Sequence, residues 1–398
     1  MSKRKQYLSI ASLLSIMLGM ALLGGSRGVM FPVLKKDFLI DDSNIGTMLL
    51  ISTFGYMAFT YVAGSLIYKL GNKRLMQLGV LVVIGSLAIM FWSPSFMWFT
   101  IGYFINGIGN AFLIMGVNIT TPLYAIAFQA ALLNIIHGCY GLGSAIIQRV
   151  TGYFITNNIS WRYMFLGFMI FHILVLLYVS FSSYPWQKEK KTKVKNELNK
   201  PKENLLTNKM LYLLIFTLGF GLMGEHGVNN WFVNYMKGGF NINENIGSIY
   251  LSLFFVLFTI GRFTGGFVLE KFGYIRGVFW VQVISAFTFT LGILMGAKGL
   301  VLITASGLIQ AIIYPTVMIT IPRYFPNNTA RAMSFVSIGV SIINNVSHMV
   351  IGYLNVSFGV VKTFYIVPFW VLISAITAGI IFKKSKNKDG NKLVLEEI

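Results

Sequence analysis

The chain has little charge. Asp, Glu, Lys and Arg make up only 11% of its 398 residues, where a soluble domain carries about 25%. That leaves too little polar surface for a water-soluble globule. Cysteine is nearly missing: Cys139 stands alone in an apolar segment, which excludes an intramolecular disulfide and implies no thiol chemistry. No serine–histidine–acid set, metal-spaced His/Cys cluster or phosphate-cradling glycine loop occurs in a polar segment, so enzyme readings fare poorly and no metal or cofactor is expected. Asn-x-Ser/Thr triplets such as Asn345-Val-Ser347 fall inside apolar runs and are chance. Acids are the scarcest charges, 12 against 32 Lys and Arg, for a net charge of +20.

What is present is apolar. The hydrophobic fraction is 56% and the mean hydropathy +0.71. Runs of about 20 apolar residues are long enough to cross a bilayer as helices. A transmembrane barrel would instead alternate apolar and polar residues. The basic excess is placed, not scattered. Lys3, Arg4 and Lys5 precede the first run, Lys69, Lys73 and Arg74 follow the second, a basic stretch runs from Lys188 to Lys209, and Lys383, Lys384, Lys386 and Lys388 follow the last. Alternate loops such as Lys35–Asp42 are nearly neutral or acidic. This pattern puts both termini and the central loop in the cytoplasm, so the charge encodes orientation, not nucleic-acid binding. The first run is too long for a signal-peptide core and reads as a retained span. The Lys/Asn/Ile-rich composition fits a bacterial plasma (inner) membrane.

Twelve spans are expected, at 8–33, 44–68, 75–93, 97–118, 128–156, 161–182, 210–236, 244–269, 275–296, 299–321, 329–356 and 360–382. A polar linker, 183–209, divides them into six and six, giving a domain of residues 1–182 and another of residues 210–398. The halves repeat at an offset of 200 to 202. Gly64-Ser-Leu-Ile-Tyr-Lys69-Leu-Gly71 lies over Gly266-Phe-Val-Leu-Glu270-Lys271-Phe-Gly273. Gly107, Asn110 and Ala111 lie over Gly307, Gln310 and Ala311, and Gly152-Tyr153 over Gly352-Tyr353. The expected fold class is an all-α membrane protein of twelve transmembrane helices in two pseudo-symmetric six-helix bundles, an architecture of transporters.

The first repeated block, GSLIYKLGNKR, resembles the Gly-x-x-x-Asp-Arg-x-Gly-Arg-Arg loop of the major facilitator superfamily. Gly64, Lys69, Gly71, Lys73 and Arg74 fit it, but Tyr68 stands where the family has its acid. The second copy keeps an acid, Glu270. In that family the motif governs the cytoplasmic gate. Arg262, in FTIGRFTGG, matches a Gly-Arg pair common there and implies a gate or structural role. Span 5 (LLNIIHGCYGLGSA) and span 7 (GEHGVNNWFVNY) resemble the fucose–galactose–glucose proton symporter branch, with Glu225, Trp231, Val233, Asn234 and Tyr235 in register. The resemblance covers essentially the whole chain and implies a sugar-like solute and alternating access.

Glu225 is the one acid lying deep within a span. A carboxylate there is costly unless it faces a cavity, pairs with another charge, or titrates. Burial disfavours the charged form, so such a group can take a proton on one side and release it on the other. Three roles stay open: proton coupling, a fixed pair with Arg27 of span 1, and direct contact with the solute.

In span 11, Ser334, Ser337, Ser341, Asn344 and His348 recur at steps of 3 and 4 and share one helical face. The matching positions of span 5 are Asn134, His137, Gly141, Ser144 and Gln148. Such stripes face protein or water. Helix packing accounts for the serines and Gly141, and a central polar path for Asn134, His137, Gln148, Asn344 and His348. Many superfamily members carry a proline where Gln148 stands, before Arg149, and His348 is the symmetric position. Arg149 either snorkels to the outer interface or helps bind an anion.

Sugar recognition needs paired donors and acceptors and an aromatic face. Asn106, Asn110, Asn118, Asn229, Asn230, Trp231, Asn234, Gln310 and Tyr314 supply them, with Tyr235 divided between this role and an interfacial belt. His226 reads as a packing residue, and His172 has no assigned role. The sequence thus predicts a monomeric, proton-coupled importer of a monosaccharide-like solute, with protons, that solute and the bilayer as its partners. A drug exporter with a Phe- and Met-rich pocket, and a carrier of an organic anion held by Arg27 and Arg149, remain as alternatives. A membrane sensor is disfavoured by the lack of a soluble output domain.

Overall fold

The computed structural model describes residues 3–124, 129–185, 205–326 and 328–395. Among them, eleven helical segments are long and apolar enough to cross a membrane. A further helix, α5 (Gln129–Thr156), is packed in series with them. The remaining helices of the first half are α1 (Lys3–Phe38), α2 (Asp42–Leu70), α3 (Asn72–Phe91), α4 (Phe96–Thr120) and α6 (Arg162–Phe181). The second half holds α7 (Lys209–Gly221), α8 (Met223–Phe240), α9 (Glu244–Phe272), α10 (Tyr274–Leu294), α11 (Leu300–Ala305), α12 (Gly307–Gln310), α13 (Ile313–Tyr324), α14 (Thr329–Phe358), α15 (Val360–Thr363) and α16 (Ile366–Leu395). Most of the linker, 186–204, lies outside the described residues.

The repeat seen in the sequence is built into the backbone. Gly71 and Gly273 end α2 and α9 at φ of +82° and +81°, and each amide closes the last turn, onto Ile67 O and Leu269 O. Only glycine takes that conformation without strain. Gly107 lies against Ser52 O of α2, and its counterpart Gly307 lies against Phe254 O of α9. A Cβ at either would stand within 2.4 Å of that oxygen. The N-caps match as well: Asp41 accepts from the amides of Ser43 and Asn44, and Asn243 from that of Ile246.

Within each half the helices form a bundle. Between halves, α5 packs on α9, α2 on α14, and α1 on α8. Close approach at the first two contacts again relies on paired glycines. Gly152 lies against Ser248 of α9, and Gly352 against Asp42 O of α2.

Spans 7 and 10 each cross as one helical segment, Lys209–Phe240 and Gly296–Tyr324, with local irregularities inside: at Leu222 between α7 and α8, and at the junctions of α11, α12 and α13. Span 7 has Gly219, Gly221, Gly224 and Gly227 within nine residues, which weakens its helix. Each of these glycines is pressed by a side chain, namely Ile343, Gln282, Gln310 and Val367 in turn. Gln310, at the end of α12, lies on Gly224, where a Cβ would sit 2.2 Å from its Nε2.

The start of α1 lies at one end of the interface, with Tyr184 on Ser12 and Pro185 O on Asn72; the α1–α2 turn marks the other, here called distal. The polar face of α14 records the difference: His348 and Asn344 are each 3% exposed, while Ser337 and Ser334 toward the termini are exposed. The halves are therefore apposed at the distal end and parted at the other.

Candidate functional site

The distal apposition is polar, and its charged groups are paired. Lys35 Nζ donates to Asp42 Oδ1 at 2.6 Å and to Asn234 Oδ1 at 2.8 Å. Asn234 Nδ2 donates to Asp42 Oδ2 at 2.7 Å, closing a triangle between α1, α2 and α8. Arg149 Nη1 reaches from α5 to α9, donating to Asn245 O at 2.9 Å and Ser248 Oγ at 2.6 Å. Ser252 Oγ donates to Ala145 O. Lys237 pairs with Glu244. Asn234 and Arg149 thus serve this seal. Gly28 lets α1 touch α8, because a Cβ there would stand 2.1 Å from Asn229 O. At the seal's edge Asp41 has its carboxyl held below the usual range, first by the Ser43 hydroxyl and then by the Asn44 and Ser43 amides.

Below the seal the polar groups are buried but not paired. Glu225, 8% exposed at the start of α8, makes no hydrogen bond or ion pair among the described residues. The sequence left open a fixed pair with Arg27, and the structure does not hold one: no ion pair within 4.0 Å joins them. The guanidinium of Arg27 lies over Tyr103 of α4, its carbon 5.5 Å from the ring centre, and its buried Nε has no partner. Tyr140 and His226 lie in electrostatic range of both Glu225 and Arg27, which places the two charges around one region.

Several amides converge there with unused capacity. Gln310 is 1% exposed, and neither its Nε2 nor its Oε1 has a partner. Gln148, fully buried, reaches Asn229 Oδ1 only at 3.5 Å and leaves its Oε1 unpaired. Asn344 turns its amide to Val340 O and has only His226 beside its Oδ1, while Ser144 neighbours Tyr140 and Tyr103 neighbours Arg27. Buried polar atoms are normally satisfied, so a concentration of exceptions from both halves marks a place for a polar ligand.

His348 is already engaged. Its Nδ1 accepts from Trp231 Nε1 at 3.1 Å. A ring that accepts at Nδ1 is neutral and carries its proton on Nε2. That nitrogen lies 3.0 Å from Asn230 Nδ2, a second donor, while Asn230 Oδ1 has no partner. Turning the Asn230 amide over satisfies both atoms, and the two amide ends are interchangeable in shape. His226 stacks beside His348, ring centres 6.2 Å apart. Trp231 is thus anchored inside, and Tyr235 is stacked under Phe364 at 4.3 Å and 1% exposed, so neither forms an interfacial belt.

Other predicted residues lie apart from this centre. Asn110 donates to Asn106, and Asn106 to Ser86, in a ladder within the first bundle. Asn106 and Asn110 line a space of about 10 Å³ with His172, a residue the sequence left without a role because its neighbours in the chain are apolar. His172 Nδ1 donates to Phe168 O, and the space is that of a single water. Tyr314 is 41% exposed. Arg262 lies over Phe258 and donates to Ala311 O. At the gate loop, Lys73 Nζ donates to Ser180 O, Lys69 and Arg74 are exposed, and Gly64 is half-buried. The side chains of Asn134, His137, Glu270 and Lys271, and the surroundings of Gly266, lie outside the described residues.

The profile of the Major Facilitator Superfamily matches residues 11–232 and again residues 220–397. A TsgA protein homolog of Buchnera aphidicola subsp. Baizongia pistaciae is 20% identical over 358 residues, 89% of this chain and 88% of that one. Among solved structures, a D-xylose-proton symporter aligns with a TM-score of 0.76 at 16% identity over 95% of this chain and 97% of its own. The E. coli fucose:proton symporter FucP aligns at 0.65 and 16% identity over 94% and 98%.

Proposed function

Because the chain belongs to the Major Facilitator Superfamily, we propose that it imports a small hydroxyl-rich solute of the monosaccharide class together with a proton, by alternating access. The observation that carries this reading is the set of buried, unpartnered polar atoms from both halves around the unpaired carboxylate of Glu225. Gln148, Gln310 and Asn344 offer the donor and acceptor pairs that hydroxyls need. Glu225 is the proton carrier. The distal seal faces the outside of a bacterial inner membrane, and the parted end, with both termini, faces the cytoplasm. The chain acts as a monomer of two six-helix domains joined by the basic linker. Likeness to symporters of D-xylose and fucose supports the solute class. An amphipath exporter is less well supported, since Phe254, Phe255 and Phe258 are buried against one another and amides line the site.

The test is transport in proteoliposomes of the full chain. Counterflow with labelled sugars and sugar derivatives reads binding and exchange without a gradient, and an acid-outside gradient reads accumulation. The expected result is saturable counterflow, with accumulation present in the wild type and lost in Glu225→Gln. Normal accumulation by Glu225→Gln would sink the coupling role.

A further inference from the structure

We propose that the solute carries one carboxylate, bound by Arg27 when Glu225 holds the proton, so that the cargo is a sugar acid such as an aldonate or uronate. The proposal rests on the reading of Glu225 as proton carrier and adds the substrate's charge.

Arg27 does not lose its charge in proteins, and a charge held inside the interface without an anion is costly. Tyr103 covers one face of the guanidinium at 5.5 Å with its neutral hydroxyl close by, and the buried Nε has no partner. A guanidinium edge without an anionic partner fits a carboxylate, which two parallel N–H donors can hold. The structure supplies no such partner. Glu225 is outside ion-pair distance, and Asp42 is committed to Lys35 and Asn234. The other titratable or charged groups facing Glu225 do not substitute. Tyr140 from α5 is neutral, Arg262 from α9 is held apart on Phe258 and Ala311 O, His226 stacks on His348, and His348 is held neutral by Trp231.

Charge accounting follows. With Glu225 ionised, it and Arg27 sum to zero. Once Glu225 takes a proton the pair is left at plus one in a buried site, which is costly. A neutral sugar leaves that charge standing. A monoanion cancels it, and its hydroxyls meet Gln148, Gln310 and Asn344. One proton and one monoanion then cross together without net charge.

The closing experiment is counterflow in proteoliposomes with labelled glucose, gluconate and glucuronate. It needs no proton gradient, so it reports substrate class whether or not Glu225 couples. The expected result is saturable exchange of at least one acid, ten-fold or more above glucose. Arg27→Gln should lower exchange of the acid at least ten-fold, and Arg27→Lys should retain an intermediate level, showing that the fold survives. Accumulation of the acid under an imposed pH gradient should not change when a membrane potential is added. Exchange of glucose equal to or above that of both acids, exchange of no acid by a protein that elutes as a monodisperse peak, or full acid exchange by Arg27→Gln would each overturn the proposal. Loss of the pH-driven step in Glu225→Gln bears only on the coupling role.

Discussion

The two levels of the interface are built from the same residue types and differ in how they are satisfied. At the distal end Lys35, Asp42, Asn234 and Arg149 find partners across the gap. One level below, Arg27, Glu225, Gln148, Gln310 and Asn344 are as deeply placed, yet bonding capacity is left over. A seal must hold itself together in the absence of cargo, whereas a binding site must keep its valences free. Partner satisfaction, more than polarity, separates gate from site here.

The sharpest break in that comparison is Glu225→Gln, which should abolish acid-driven accumulation and leave counterflow intact. Next is Gly28→Ala. Its methyl would stand 2.1 Å from Asn229 O and hold α1 off α8. Transport should drop by an order of magnitude or more, and a cysteine placed on α8 beside Asn234 should become reactive to an impermeant maleimide from the distal side. Gln310→Leu should weaken solute affinity about ten-fold, roughly 1.4 kcal/mol. Its melting temperature in detergent should stay level or rise, since no internal hydrogen bond is lost. Asp42→Leu should do the reverse, lowering stability by about 1–3 kcal/mol by stranding Lys35 and Asn234, with equilibrium solute affinity nearly kept. If both variants lower stability alike, the distinction between seal and site fails.

The smallest effect concerns acid. Asp41 has a depressed carboxyl in the folded chain, so its contribution is present above the unfolded carboxylate range near pH 3.9. It is lost as pH falls through the lower folded value. Asp41→Ala should flatten the acid limb of a melting-temperature profile slightly and leave the neutral limb lower by a degree or two.

The fold was legible because its rules are coarse and repeated. Span lengths, placed lysines and the glycines at 71 and 273 or 107 and 307 each follow from bilayer thickness, turn geometry or backbone approach. Glu225 was legible as the one deep acid. What escaped depends on cross-helix distances. Arg27 was a natural partner for Glu225 by depth, but lateral offset leaves it over Tyr103. Asn234 looked like a sugar ligand until Lys35 and Asp42, distant in sequence, closed on it. His172 had apolar neighbours in the chain and polar ones across the bundle. The irregularity inside span 7 carried one clue, the glycines of 219–227, whose effect depends on the side chains pressed against them.

The bond from Trp231 to His348 turns the site into its own optical reporter. An indole N–H held by a neutral imidazole emits differently once that imidazole turns away or gains a proton. With the other tryptophans replaced by phenylalanine, each loading step at Glu225 and Arg27 should be followed as a colour change in one buried ring.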